Sequence, residues 1–123
     1  DMLEVYSDKN IVAKFETESD FIHQMNDSLA VVLINNLLKN AIVHSSSNSL
    51  ITITSHEKSL TISNEGQAAL DNEKIFTRFY RAGNSKTKES TGLGLTIAKE
   101  IAQLSGLSLD YFYDGKHNFR LKK

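Results

Sequence analysis

The sequence predicts an α/β two-layer sandwich, in which a mixed, mostly antiparallel sheet carries about three helices on one face. Stretches with apolar residues at helical spacing alternate with short runs rich in β-branched residues. The β-branched and aromatic runs come in pairs joined by polar turns, which is typical of hairpins. At 123 residues the chain is long enough for one hydrophobic core, so residues 1–123 are interpreted as a single domain.

The first elements are a strand and a long helix. Residues 10–15, "NIVAKF", are predicted to form a short strand, and residues 21–25, "FIHQM", a second one. Asn26 is predicted to cap a helix over residues 27–43, because an Asn side chain at this position accepts a backbone N–H of the first turn.

The second half of the chain predicts two hairpins separated by helices. Residues 50–54 and 60–62 form the first hairpin, and residues 107–113 form the second with the "HNFRLK" segment across an Asp114-Gly115 turn. Between the hairpins, "DNEKIFTRFYR" is predicted to be a short helix with Ile75, Phe76 and Phe79 inward. A second long helix over residues 95–104 places one apolar face inward, formed by Leu95, Ala98, Ile101 and Ala102.

Composition excludes several classes of protein. The 14 basic and 15 acidic residues nearly cancel, which argues against a general nucleic-acid or membrane-surface binder. Without cysteine, the chain forms no disulfide and offers no thiolate to a metal. No apolar run approaches the ~20 residues that cross a bilayer. The start at Asp1 without an initiating Met indicates a fragment of a larger protein.

Three polar side chains line one edge of the first long helix. Asn36, Asn40 and His44 recur every four residues, at the margin of the apolar face. A single buried Asn is usually bonded to a neighbouring loop, but three in register form a row of donors and acceptors beside an apolar wall. Such a row suits a polar ligand that has a flat hydrophobic part.

Two glycine-bearing segments and a polar loop add a second set of candidates. In "SNEGQ", Asn64 and Gly66 lie at a strand end, where a plain turn or a close approach of a ligand would need glycine. "TGLGL" at 91–95 leads into a helix, whose N-terminal N–H groups favour phosphate. The loop between them carries Arg81, Lys86 and Lys88, and is interpreted either as a solvated loop or as a lid over an anionic ligand.

In this order, four segments resemble the ATP-binding catalytic domain of bacterial sensor histidine kinases, within the superfamily that includes gyrase, mismatch-repair ATPases and heat-shock chaperones. "NLLKNAIVHS" resembles the N box, "ISNEG" the first glycine box, "IFTRFYR" the F box and "STGLGLTIAKEI" the second glycine box. The resemblance covers residues 26–121 and implies a Bergerat-type fold with ATP held under a lid.

The resemblance also implies a role for each candidate residue. Asn40 would ligate Mg²⁺, with Asn36 and His44 hydrogen-bonding nearby, and Asn36, Asn40 and Arg81 would be the catalytic residues. Nucleotide would further contact Asn64, Gly66, Phe76, Arg81, Thr91, Gly92, Leu93, Gly94 and Leu95. The lid, residues 81–91, is expected to be mobile without nucleotide and to become ordered when ATP and Mg²⁺ bind.

Position 36 separates the chemistries of this superfamily. The ATPases carry a glutamate there, which activates water as a general base, whereas the amide of Asn36 takes no proton at neutral pH. The resemblance therefore implies transfer of the γ-phosphate to a histidine on a separate helical dimerisation domain, with a response regulator downstream. It further implies a monomeric cytoplasmic domain whose parent protein is anchored in the bacterial inner membrane.

Four positions depart from the family pattern. Asn64 stands where the family usually has the Asp that contacts the adenine amino group, and its amide oxygen still accepts that hydrogen bond without a charge. Val43, Ala68 and Ser90 stand in place of a basic residue and two glycines. A degenerate interaction module that binds nucleotide weakly or not at all therefore remains the alternative to a kinase domain.

Overall fold

The computed structural model describes residues 10–45, 48–66, 69–77 and 94–123. Within them the chain forms five strands and two helices in an α/β arrangement, as predicted. In chain order they are β1 (Val12–Thr17), α1 (Asp27–Val43), β2 (Leu50–Ser55), β3 (Ser59–Glu65), α2 (Gly94–Leu104), β4 (Ser108–Tyr113) and β5 (Lys116–Lys122).

The sheet is mixed, with strand order β1-β2-β3-β5-β4. β1 runs parallel to β2, and the other neighbouring strands are antiparallel. The two predicted hairpins, β2–β3 and β4–β5, are confirmed. Gly115 has a φ of 93° in the second turn, where a residue with a side chain would be strained. Because β5 lies between β3 and β4, its side chains lie beside those of both strands.

The helices cover one face of the sheet and share one core with it. The bounds of α1 and its cap are as predicted, since Asn26 Oδ1 accepts the N–H of Leu29 at 3.0 Å. Both helices and four strands contribute buried side chains to this core, among them Leu33, Leu37, Ala41, Ile42, Ile51, Ile62, Ala98, Ile101, Ala102, Leu109, Phe119 and Leu121. Neither described helix is long and apolar enough to span a membrane.

The predicted strand at 21–25 is wrong. Burial alternates along this segment as in a strand, with Phe21 and Met25 packed against the core and Ile22 exposed. In the described residues, however, the segment has no strand to pair with. His23 instead contacts the end of α2, with Nε2 2.5 Å from the carbonyl oxygen of Ser105. The segment is therefore an extended connection that seals the core without joining the sheet.

The predicted short helix at 71–81 is also wrong over its described part. Residues 71–77 form hydrogen-bonded turns, in which Asp71 O accepts the N–H groups of both Lys74 and Ile75. The Asp71 carboxylate accepts the N–H of Glu73 at 2.9 Å, a local bond that favours a turn over a continuing helix. Ile75 is buried and Phe76 packs against the core as predicted, whereas Phe79 lies outside the described residues.

Candidate functional site

The predicted polar row lies along the margin of the buried face of α1. Asn36 and Asn40 are half-buried, next to the fully buried Leu33 and Leu37. His44 is also half-buried and follows the last helical residue, where its backbone N–H donates to Asn40 O at 3.1 Å. The row therefore extends from the middle of α1 to its C-cap.

The start of α2 lies directly against this row. A Cβ built on Gly94 would be 3.3 Å from Asn36 Oδ1, so the backbone of the first α2 residue lies beside that amide. The first turn of a helix has N–H groups without intrahelical partners and carries the positive end of the helix dipole. The N-terminus of α2, which begins at Gly94, and the amide row thus form one polar surface that suits an anion.

Phe76 joins the same end of α2 to the sheet. Its carbonyl accepts the hydroxyl of Thr96 at 2.9 Å. Its ring packs edge-on against Phe119, with 6.4 Å between centroids, and the Lys99 ammonium lies 4.6 Å from its centroid. Lys99 also donates to Leu109 O at 2.8 Å, which holds the ammonium in place. Phe76 is therefore fixed next to the first turns of α2.

Asn64 presents a buried acceptor that has no partner in the described part of the chain. The residue lies near the end of β3 on the helix-covered face and is 1% exposed. Its Nδ2 donates to Glu65 O at 3.4 Å, whereas Oδ1 is buried and accepts no hydrogen bond within the described residues. An unsatisfied buried polar group costs about 1–3 kcal/mol. A ligand donor, such as the exocyclic amine of adenine, would remove that cost.

A cluster of aromatic residues stands beside Asn64. His117 pairs with Asn64 across β3 and β5, so the two side chains occupy the same face of the sheet. Tyr111 OH is hydrogen-bonded to His117 Nδ1 at 2.8 Å and accepts the N–H of Leu70 at 2.9 Å. The hydroxyl of Tyr111 thereby connects the His117 imidazole with the backbone of Leu70, which follows the first glycine motif.

Gly66 is pressed against the same imidazole. A Cβ built on Gly66 would be 2.0 Å from His117 Nε2, far closer than any real contact. The carbonyl of Gly66 accepts the hydroxyl of Tyr113 at 2.8 Å. Glycine is therefore required here for a close approach of backbone to side chain, and Gly66 and Leu70 are both hydrogen-bonded to tyrosines of β4.

The comparisons with known proteins agree with this geometry. Residues 26–121 match the family model described as "Histidine kinase-, DNA gyrase B-, and HSP90-like ATPase". The chain belongs to this family. It is 38% identical over 128 residues to the sensor histidine kinase HprS of Escherichia coli, and 43% identical over 82 residues to the sensor protein VanS of Enterococcus faecium. These matches cover 98% and 61% of this chain, but only 28% of HprS and 21% of VanS.

Solved structures confirm the fold of this ATPase domain. The mycobacterial sensor histidine kinase MprB superposes with a TM-score of 0.78 at 18% identity, covering 98% of this chain and 87% of MprB. A nucleotide-free catalytic domain of the histidine kinase ThkA gives 0.74 at 26% identity, covering 98% and 86%. The predicted two-layer α/β fold of a histidine-kinase ATPase domain is therefore confirmed.

Several predicted site residues lie outside the described residues of the ATPase domain. They are Arg81, Thr91, Gly92 and Leu93, together with the predicted lid at 81–91. Leu95 is described, and it packs half-buried against the core. No group of three or more His, Cys, Asp or Glu that could hold a metal is found among the described residues. The roles of these residues and the Mg²⁺ site at Asn40 therefore stay predictions.

The aromatic cluster was missed by the sequence analysis, although the sequence contains its signal. Every second residue along β5 is His117, Phe119 and Leu121, and every second residue along β4 is Leu109, Tyr111 and Tyr113. Such alternation places each set on one face of its strand. It would have placed His117 on the buried face, but not next to Asn64, because that contact depends on the pairing of β3 with β5.

Burial shifts the pKa of two groups in the cluster. Burial lowers the pKa of His117, since the imidazolium loses its hydration. Burial also raises the pKa of Tyr111, opposed by the hydrogen bond from Leu70 and reinforced by Tyr113. The cluster is therefore built for an uncharged His117.

We expect the domain to lose stability as the pH falls below about 6.5. The unfolded chain has an ordinary histidine pKa and binds a proton more readily than folded His117 does. The stabilisation by neutral His117 is thus fully present above pH 6.5 and decreases as the pH falls through the lower folded pKa. Denaturant unfolding between pH 7.5 and 5.5 should show this decrease, and His117→Gln should reduce its slope. An equal slope in His117→Gln would contradict the assignment of the pH dependence to His117. His56→Gln serves as the control, because the His56 side chain lies at an exposed site beside Glu18.

Proposed function

We propose that this domain binds Mg-ATP and donates the γ-phosphate to a histidine on a separate helical dimerisation domain of its parent protein. The observation that carries the proposal is that Gly94 lies beside Asn36, since a Cβ built on Gly94 would be 3.3 Å from Asn36 Oδ1. It brings the N-terminus of α2, which favours phosphate, beside the amide row of α1. The family membership and the names of the relatives, which are sensor kinases, support the same function.

The other end of the nucleotide is assigned to Asn64. Its buried Oδ1 accepts no hydrogen bond from the described residues and fits the exocyclic amine of adenine. Gly66 lies two residues further along the chain and is held against His117, which keeps the backbone close to the base. The residues therefore fit an adenine nucleotide at both ends.

The metal is assigned to Asn40. A carbonyl oxygen is a hard ligand of the kind that Mg²⁺ prefers, and the ion keeps several waters and phosphate oxygens as its other ligands. Asn36 and His44 share the same edge of α1 and are proposed to hydrogen-bond around the phosphates. When bound, Mg²⁺ neutralises charge on the phosphates. Arg81, Thr91, Gly92 and Leu93 are proposed to contact the phosphates from the segment that joins Phe76 to Gly94.

The acceptor is proposed to lie outside this chain. His23 lies in an extended connection, His44 caps α1, and His56 follows β2. His117, the fourth, is buried in β5. None of the four lies inside a helix, whereas the resemblance to histidine kinases places the acceptor on a helical dimerisation domain. A response regulator would then receive the phosphate, and the parent protein is proposed to be an inner-membrane sensor whose catalytic domain is cytoplasmic.

The test combines phosphotransfer with hydrolysis. Incubated with Mg-ATP and the dimerisation domain of its parent, the domain should phosphorylate that partner in trans. Alone, it should release almost no phosphate, because Asn36 has no basic group to activate water. Asn36→Glu should introduce slow hydrolysis, whereas Asn35→Glu, on the exposed side of α1, should not.

Two outcomes would contradict the proposal. Brisk phosphate release by the unmodified domain would favour a hydrolase over a phosphotransfer domain. Binding of the dimerisation domain without any nucleotide binding would favour the degenerate interaction module.

A further inference from the structure

The amide of Asn64 is held loosely for a buried side chain. It is 1% exposed, yet its single hydrogen bond within the described residues is the one from Nδ2 to Glu65 O, at 3.4 Å. The opposite atom, Oδ1, has no partner among those residues. Little therefore fixes which end of the amide faces a ligand.

A second buried Asn, on the neighbouring strand, shows the contrast. Asn118 is 5% exposed, and its Oδ1 accepts the hydroxyl of Ser63 at 2.6 Å. Its Nδ2 lies 2.8 Å from Asp114 Oδ1, 3.0 Å from Lys116 O and 3.3 Å from Phe112 O. Turning this amide over would replace the bonds of Nδ2 with unfavourable contacts between oxygens, so its orientation is fixed. At Asn64 the same rotation sacrifices one long bond.

We propose that Asn64 makes the base site accept 6-oxo purine nucleotides as well as ATP. This inference rests on the proposed function, since it assumes that Asn64 faces position 6 of the bound base. In the orientation described, Oδ1 accepts from the 6-amino group of adenine. Turned over, Nδ2 donates to the 6-carbonyl of hypoxanthine or guanine. The aspartate usual in this family has only acceptors when ionised, so it repels that carbonyl.

The cost of turning the amide sets the expected selectivity. The rotation exchanges the bond to Glu65 for a contact between two oxygens, a loss comparable to one neutral hydrogen bond. One such bond corresponds to roughly tenfold in affinity. The unmodified domain should therefore prefer ATP to a 6-oxo nucleotide by about tenfold or less.

Inosine triphosphate is the sharpest probe, because it lacks the 2-amino group by which guanosine triphosphate also differs from ATP. Calorimetric titration with ATP and ITP, each with Mg²⁺, gives the ratio of the two Kd values. In the unmodified domain the ratio should be about ten or less. Asn64→Asp should raise it to roughly a hundred or more, since a buried carboxylate accepts from the amine and repels the carbonyl. Asn35→Asp makes the same change at an exposed site and should leave the ratio unaltered.

A second variant keeps the inference testable if the buried carboxylate of the Asn64→Asp variant prevents folding. Asn64→Ala removes the donor, the acceptor and the cost of turning the amide, so it should weaken ATP by about tenfold and should not strengthen ITP. If Asn64 acted only as an acceptor, it would repel the 6-carbonyl, so alanine would strengthen ITP and the inference would be overturned.

The remaining outcomes separate the inference from the function beneath it. An unmodified domain that binds ATP but rejects ITP as strongly as Asn64→Asp does would overturn the inference and leave the proposed function standing. A domain that binds neither nucleotide would overturn both.

Discussion

Asn40→Ala is expected to abolish magnesium-dependent ATP binding while the domain remains folded. The side chain is half-buried at the margin of α1, outside the buried cluster that forms the core, so its removal leaves no large cavity. Loss of a direct Mg²⁺ ligand should weaken Mg-ATP by about 100-fold or more, since even residues that only orient metal ligands contribute about 10–100-fold. Calorimetric titration of ATP with and without Mg²⁺ measures the loss.

The matched control is Asn35→Ala, on the exposed side of the same helix. It removes an equal amide and should leave both titrations unchanged. The free energy of unfolding of Asn40→Ala should lie within about 0.5 kcal/mol of the unmodified domain, the usual range for substitutions away from a core. Unchanged Mg-ATP affinity in a folded Asn40→Ala would refute the assignment of the metal site.

Gly66→Ala is expected to be the most damaging replacement of a described glycine by alanine. The new Cβ would lie 2.0 Å from His117 Nε2 and 2.3 Å from Cδ2, so the ring must move. That ring is buried and is held by Tyr111, so it has little room. Forced overpacking of this kind costs about 1–3 kcal/mol. Denaturant unfolding should show this loss, and ATP affinity should fall because Asn64 lies two residues away.

A double-mutant cycle identifies the cause. If the clash with the imidazole is responsible, Gly66→Ala should cost much less in a His117→Ser background, where the space is open. Gly94→Ala provides a contrast, because its Cβ would be 3.3 Å from Asn36 Oδ1 and alanine is preferred within a helix. Equal costs of Gly66→Ala in both backgrounds would show that the strain lies elsewhere.

Local signals explain why much of the fold was predictable. The bounds of α1 follow from Asn26 at its cap and from a regular apolar face, and both hairpins follow from β-branched or alternating runs around polar turns. Residues 21–25 carry the alternation of a strand as well. This alternation indicates a segment with one buried side, but it does not show whether a neighbouring strand is present to pair with it.

Part of the site was also predictable from local signals. The spacing of Asn36 and Asn40 alone places them on one edge of a helix. That Asn64 Oδ1 is buried without a partner in the described residues depends on the pairing of β3 with β5, and the restraint on Gly66 depends on His117 from the end of the chain. Such contacts join residues far apart in sequence, and the glycine motif alone suggested a simple turn as readily as a close approach.

The position of β1 has a consequence for how the domain assembles and opens. Within the described residues, β1 is an edge strand, and its pairing with β2 joins Val12 to Leu50 across the whole of α1. Val12 and Phe15 are largely exposed, so little apolar area is released if the strand separates. Its parallel pairing closes a long stretch of chain and therefore forms late in folding, after the local hairpins. We therefore expect β1 to detach first, in a partial unfolding that leaves the hairpins and the two helices intact.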